Sequence, residues 1–316
     1  MPACRQSQSK SCRPSWNIFA EQKDSCGDFA VKRSVIRKIG RLLPSAFRER
    51  AKRHYLGQSI ETVDDRFALS ESGDTIVCGV DDAFSFSAPL ERKSDLVHYT
   101  TSFEGRAEFA ALAQTALKQG GVLFDIGAHC GLISALWCGA RSDNRVFCFE
   151  PSPVLLRHLF EIRDLNGFGE RMNISQAAVG EAQGMTSMLI DPVGGFVQSR
   201  HFDHTMWSEP KSIDVAVETI ESASARLGVV PDFIKLDIEG YEYEAIKGST
   251  SFLAAHRPTL FLELHLNYLE QRKISAKSVV ELLRQSGYSF FTYRGAELAP
   301  ADLYGSPLST QHCVAK

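Results

Sequence analysis

The chain has 316 residues, 44% of them apolar and 23% charged, and its 35 basic and 38 acidic residues leave a net charge of −3. That balance suits a globular enzyme of one large domain with additions, and it lacks the basic excess of a nucleic-acid binder. No apolar run reaches the ~18–20 residues of a membrane span, and the N-terminus lacks the apolar core of a secretory signal, so a cytoplasmic location is expected.

The eight cysteines, Cys4, Cys12, Cys26, Cys78, Cys130, Cys138, Cys148 and Cys313, form no CxxC pair and are expected to be reduced. Residues 1–30 are polar and without periodicity, the composition of a disordered tail. Residues 32–55, KRSVIRKIGRLLPSAFRERAKRHY, are basic with apolar residues interleaved. They read as a solvated helix or helix pair broken at Pro44, or as a surface helix in peripheral contact with anionic lipid or a glycolipid. Within 60–100, DTIVCGV and AFSFSAPL carry strand-type residues between turn-like segments. Residues 31–103 are therefore expected to form a basic helical segment and a short β extension that caps the substrate side. The main domain, 104–316, opens with an alanine-rich helix over 104–118 that Gly120 and Gly121 stop.

From residue 121 strands and helices alternate. GVLFDIG precedes the helix GLISALWCGA, RVFCFEP precedes PVLLRHLFEIRDLNG, and NISQAAVG is a third strand. FIKLDIEG precedes YEYEAIKGSTSFLAAH, TLFLELH precedes SAKSVVELLRQSG, and YSFFTYRG closes the series. Nearly continuous apolar strands separated by helices predict a mostly parallel sheet covered on both faces. Ligands bind such sheets at the carboxyl ends of the strands. That rule selects Asp125 to Gly131, Glu150, Ala177 and Ala178, Asp237 to Gly240, and Glu263 to His265.

The first turn runs Gly127-Ala128-His129-Cys130-Gly131. It lacks the middle glycine of the dinucleotide fingerprint and the Gly-Lys-Ser/Thr of a phosphate loop. Asp125 before it would repel a pyrophosphate but suits a ligand with an ammonium and a sulfonium. Glu150, about 20 residues on, is placed to accept both ribose hydroxyls of an adenosine. S-adenosylmethionine meets both demands. Both carboxylates are also read as ordinary helix-capping acids. On the fourth and fifth strands, Lys235, Asp237 and Glu239 alternate and would share one side of an extended strand. Three charges on a central strand are costly unless paired or functional. If the sulfonium methyl group passes to a hydroxyl, that hydroxyl needs a positioned base. The expected roles are Asp237 nearest the methyl group, Glu239 orienting the hydroxyl and His265 as candidate base, with a buried Lys235–Asp237 ion pair as the structural reading.

In this order, VLFDIGAHCG, FCFEPSP, AAVG, IKLDIEGYEYEAIKG and LFLELH resemble the FkbM family of methyltransferases, from about residue 103 to about residue 293. The resemblance implies the class I methyltransferase (Rossmann-like) fold, a seven-stranded sheet whose last strand is antiparallel, with S-adenosylmethionine as cofactor. It implies cofactor contacts at Asp125, Gly127, Gly131 and Glu150, with Ala177 or Ala178 near the adenine. It further implies O-methylation of a sugar, a glycolipid or a secondary metabolite. His129 stands where the family commonly has asparagine, and both residues tolerate left-handed backbone geometry. No metal is expected, although Asp237, Glu239, Glu263 and His265 have the donor types for one. The residues His201, Asp203 and His204 share a connecting loop with Phe196, Phe202 and Trp207, a composition suited to stacking on a flat acceptor. The other readings are a non-catalytic cofactor-binding scaffold and a nicotinamide-dependent oxidoreductase, the latter opposed by Asp125 and the missing glycine.

Overall fold

Apolar side chains on both faces of a strand demand cover on both faces, and the centre of this protein is built to that rule. The structure, a computed structural model, describes residues 66–190, 197–198, 211–304 and 310–316. The tail 1–30, the basic segment 32–55 and the loop carrying Phe196, His201, Phe202, Asp203, His204 and Trp207 lie outside the described residues. No described helix is long and apolar enough to cross a membrane.

Three strands come first: β1 (Phe67–Ser72), β2 (Thr75–Val80) and β3 (Phe84–Pro89), an antiparallel meander. Helices α1 (Lys93–Thr101) and α2 (Phe103–Lys118) follow. The alternating part then runs β4 (Val122–Ile126), α3 (Leu132–Ala140), β5 (Arg145–Phe149), α4 (Pro153–Leu165) and β6 (Met172–Ser175). Next come β7 (Ala178–Val179), β8 (Gly184–Ile190), β9 (Val197–Gln198), β10 (Lys211–Glu218) and α5 (Ile220–Leu227). The series continues with β11 (Phe233–Leu236), α6 (Glu242–Lys247), α7 (Thr250–His256), β12 (Thr259–His265), α8 (Leu266–Gln271) and α9 (Ala276–Gln285). It closes with β13 (Phe290–Phe291), β14 (Glu297–Leu298), α10 (Pro300–Tyr304) and β15 (Thr310–Ala315).

The main sheet has the order β14-β13-β15-β12-β11-β4-β5-β6. Strands β6, β5, β4, β11 and β12 are mutually parallel, and β15 enters antiparallel between β12 and β13. The sheet therefore has eight strands where seven are expected. The extra one is the two-residue β14, which folds back on β13 across a turn closed by Thr292 N to Ala296 O at 2.7 Å. The expected third strand NISQAAVG divides. Its first part is β6, and Ala178–Val179 leave to pair with β10 in a second sheet of order β7-β10-β8-β9.

Period-2 alternation sorts the core into two layers. From β4, Leu123 joins the layer under α2, α3 and α4, while Phe124 and Ile126 join the layer under α5, α7 and α9. Asp125 thus faces the α3 side with Leu123. Trp137 of α3 is fully buried there, and its indole donates to Gly121 O at 3.0 Å. Burying a ring of that size contributes about 3 kcal/mol. The three-stranded meander shares this layer. The Asn166 amide just past α4 brackets the Ser87 backbone at 2.7 Å on each side. Helices start where side chains cap them: Ser102 accepts from Gly105 N, Ser152 from Leu155 N, and Thr219 forms a reciprocal box with Ser222. The five described cysteines are buried free thiols, and burial pushes those of Cys130 and Cys138 up to about 12.

Candidate active site

A cavity of about 710 Å³ opens at the carboxyl ends of β4, β5 and β11. Its floor is the turn after β4. Gly127 and Ala128 donate to Phe149 O at 3.0 and 3.1 Å, which folds the turn over the end of β5. Gly127 has φ +82°, and a Cβ there would stand 1.8 Å from Asp237 O, so this position admits glycine alone. His129 takes φ +51°, the left-handed geometry that asparagine also tolerates. Burial lowers the pKa of its imidazole, which keeps the ring neutral. Gly131 opens α3 at φ +89°, against Leu159.

Glu150, 5% exposed, stands at the end of β5 with both carboxylate oxygens anchored. His129 N donates to one and Ser152 N to the other, each at 2.9 Å. Burial pushes its carboxyl up to about 8 against the pull of those two N–H groups. Each oxygen keeps a lone pair for a ligand. Asp125 lies one layer deeper, fully buried and outside the cavity lining. Ser134 Oγ donates to its Oδ2 at 2.6 Å, while Oδ1 has no hydrogen-bond partner. Burial pushes it up to about 6, opposed by Lys235 on the neighbouring strand. Ala177 and Ala178 line the cavity beside Gly180, and Thr186, Ser187 and Met188 of β8 form the wall above them.

The ends of β11 and β12 carry the charge. Strand β11 stops at Leu236, so the expected alternation does not place Glu239. A turn does: Glu239 has φ +54° and Gly240 φ +91°, and the chain reverses to bring Glu239 back beside Asp237. Such strained non-glycine geometry persists where surroundings over-determine it. Lys235 is 1% exposed and donates to Asp237 Oδ2 at 2.6 Å. Burial pushes the Asp237 carboxyl up, but Lys235 and His265 outweigh it and hold it below the usual range. Burial raises the Glu239 carboxyl.

His265 is the hub of this half. Its Nδ1 meets Glu242 Oε1 at 2.9 Å, and its Nε2 stands 3.5 Å from Glu239, 3.5 Å from Glu263 and 3.8 Å from Asp237. Glu242 is fully buried and also accepts from Gly240 N at 3.0 Å, tying the ring to the turn. Burial alone would lower the His265 pKa, but Glu242, Asp237 and Glu239 raise it to about 10. That favours the imidazolium at neutral pH, the form that donates protons rather than accepting them. The donor atoms of Asp237, Glu239 and His265 lie within 4.8 Å of one another and would suit a divalent ion. Lys235 and the imidazolium already supply positive charge to that group.

Sequence reasoning did not single out Asp95, His98 and Tyr99 of α1, Glu108 of α2, or His312 of β15, all of which line the cavity. Glu108 carries a signal in hindsight: it shares the buried stripe of Gly105, Phe109 and Leu112, a carboxylate at an apolar position, and is 2% exposed. The β8 and β10 strands were also missed, although Ile213, Val215 and Val217 alternate with polar residues. Among the described residues no Lys or Arg lines the cavity, which fits a cationic ligand and opposes a pyrophosphate.

Strand order, the antiparallel β15 and a cavity floored by the glycine turn define a class I methyltransferase fold. The chain belongs to the FkbM methyltransferase family. The family's methyltransferase FkbM domain matches residues 125–290, more than half of the 316. No curated protein matches the chain significantly. Among solved structures, an FkbM methyltransferase from Methylobacillus flagellatus is 19% identical with TM-score 0.38, over 62% of this chain and 43% of that one. An S-adenosylmethionine-dependent methyltransferase from Agrobacterium tumefaciens is 12% identical with TM-score 0.38, over 78% and 70%. Aeropyrum pernix fibrillarin, with natively bound S-adenosyl-L-methionine, is 10% identical with TM-score 0.36, over 78% and 96%. Identities and scores this low carry no residue roles across.

Proposed function

We propose that the protein is an S-adenosylmethionine-dependent O-methyltransferase acting on a hydroxyl of a sugar, a glycolipid or a secondary metabolite. The observation that carries this reading is Glu150. It is a buried carboxylate with each oxygen anchored by a backbone N–H, and it faces a cavity that holds no described Lys or Arg. Such a group takes two ribose hydroxyls and rejects phosphate. Gly127, Ala128, His129 and Gly131 shape the seat for the methionine part, with Asp125 supplying negative charge from beneath. Ala177 and Ala178 give the adenine a small-residue edge.

Bound S-adenosylmethionine would supply an electrophilic methyl group on a sulfonium. Asp237, held ionised by Lys235, would put negative charge on the cavity wall where a sulfonium could be stabilised. Glu239, whose carboxyl is raised by burial, is the better proton acceptor for the hydroxyl. Glu239 would take the hydroxyl proton as the cofactor's methyl group moved to the oxygen, and the sulfur would keep the electron pair. His265 and Glu242 hold both carboxylates in place. Helix α1 serves the acceptor side, a reading supported by Asp95, His98 and Tyr99 in the cavity wall.

Calorimetric titration of the full chain with S-adenosylmethionine, S-adenosylhomocysteine and NADH tests the reading. Both adenosyl ligands are expected to bind and NADH is not. NADH binding without adenosyl binding would refute it. Adenosyl binding with no transfer to any hydroxyl acceptor would favour the scaffold.

A further inference from the structure

The charges of the cavity wall do not balance. Eight carboxylate side chains line it, and among the described residues no Lys or Arg does. Four have their own cationic partners just outside the wall: Asp95 with Arg92 at 3.4 Å, Glu181 with Lys247 at 2.8 Å, Asp237 with Lys235 at 2.6 Å, and Glu244 with Arg272. Glu150 is held by backbone N–H groups. That leaves Glu108, Glu239 and Glu263, none of which has a described Lys or Arg within ion-pair distance. The imidazolium of His265 stands 3.5 Å from Glu239 and from Glu263, one charge for two carboxylates. Glu108 accepts the Tyr293 hydroxyl at 3.1 Å, a neutral donor. A buried carboxylate without a cation holds a proton instead: burial pushes Glu263 up to about 9, and a bound cation would release that proton and pair with the carboxylate.

The three groups come from different parts of the fold. Glu108 is on α2, Glu263 on β12, and His312 of β15 completes the set, their donor atoms all within 4.8 Å of one another. Glu108 and His312 lie outside residues 125–290, so the family match does not account for them. Together they form an acidic corner next to Asp237 and Glu239.

We propose that the methyl acceptor is a hydroxylated amine, such as an amino sugar, whose ammonium seats between Glu108 and Glu263 while its hydroxyl faces Glu239. The inference rests on the methyltransferase reading and names the substrate class for that same site. A protonated amine has no lone pair, so it anchors the molecule, and the methyl group goes to the hydroxyl. The hydroxyl oxygen gains the methyl, its proton passes to Glu239, and the sulfonium sulfur keeps the electron pair. The same wall repels acceptors that carry phosphate or sulfate, since it offers them no guanidinium or ammonium. His312 Nε2 and Glu263 Oε1 stand 3.7 Å apart. That falls between the ~3.4 Å edge of a tetrahedral metal site and the ~4.6 Å edge of acceptors around an ammonium, so Mn²⁺ is one of the probes below.

The experiment is calorimetry on the full chain saturated with S-adenosylhomocysteine. The probes are an aminoglycoside, its per-N-acetylated derivative, glucose 6-phosphate and Mn²⁺ alone. The aminoglycoside is expected to bind about tenfold or more tighter than its acetylated form. The same loss is expected in Glu263→Gln and in Glu108→Gln, with the affinity for S-adenosylhomocysteine unchanged, and the sugar phosphate is not expected to bind. Equal binding of the acetylated form overturns the proposal, and that comparison needs no variant. So does aminoglycoside binding that both variants retain, or its absence from protein that holds S-adenosylhomocysteine. Stoichiometric Mn²⁺ binding lost in Glu263→Gln also overturns it, by making the corner a metal site. Failure to hold S-adenosylhomocysteine at all is a different result and sinks the methyltransferase reading instead.

Discussion

The two halves of the cavity solve the burial of carboxylates in opposite ways. At the ends of β4 and β5, Asp125 and Glu150 are held by neutral donors: one hydroxyl and two backbone N–H groups. At the ends of β11 and β12, Asp237, Glu239, Glu242 and Glu263 are held by charges, Lys235 and the His265 ring. Neutral donors leave a carboxylate partly satisfied and able to take more bonds, as a ligand seat must. Opposite charges fix protonation states, which is what transfer chemistry requires. The first half is rigid geometry and the second is balanced electrostatics, so the two should fail differently when perturbed.

The largest expected effect breaks the geometry. Gly127→Ala drives a Cβ into the Asp237 carbonyl at a positive φ and should cost about 4 kcal/mol of unfolding free energy, read by urea denaturation. Adenosyl ligand binding should disappear with it. A variant of wild-type stability would mean that the turn does not sit on the β11 end as described.

Next comes the charged half. Asp237→Asn keeps a partner for Lys235 but removes the negative charge. It should lower kcat by about 100-fold or more while S-adenosylmethionine still binds. Normal turnover would remove Asp237 from the chemistry. Glu150→Gln sharpens the contrast from the other side: above about pH 8, where the carboxylate is ionised, cofactor affinity should fall about tenfold, because one charge-assisted pair of ribose bonds weakens. Turnover at saturating cofactor should be nearly preserved.

A pH dependence tests the charge of the His265 ring itself. The His265 pKa is raised from 6.5 to about 10 in the folded protein, so its charge contributes stability that is full below pH 6.5 and is lost as pH rises through 10. The difference in unfolding free energy between wild type and His265→Gln should therefore shrink from pH 6 to pH 10. A constant difference would show that the ring is neutral and free to act as base.

Much of the first half was legible in the sequence because its chemistry is local. The acid before the glycine turn, the glycines themselves and the carboxylate ending the next strand all follow from strand and turn rules within about 25 residues. The LDIEG segment was legible as a site, but the reversal at Glu239 was not, because alternation holds only while a strand continues. The β8–β10 pair was hidden by the long interval between its strands. β15, which carries His312, was missed because a short six-residue segment after a turn-rich stretch gives little periodicity.

By itself, then, the sequence determined the alternating α/β plan, the turn from Asp125 to Gly131 and the acid at Glu150, since propensity, periodicity and turn chemistry act between near neighbours. The tertiary structure alone decided that Lys235 neutralises Asp237, that Glu242, Asp237 and Glu239 keep His265 charged, and that Glu108 and His312 meet Glu263 in one corner. Those are electrostatic facts, and charge interactions depend on distances through space that no spacing along the chain encodes.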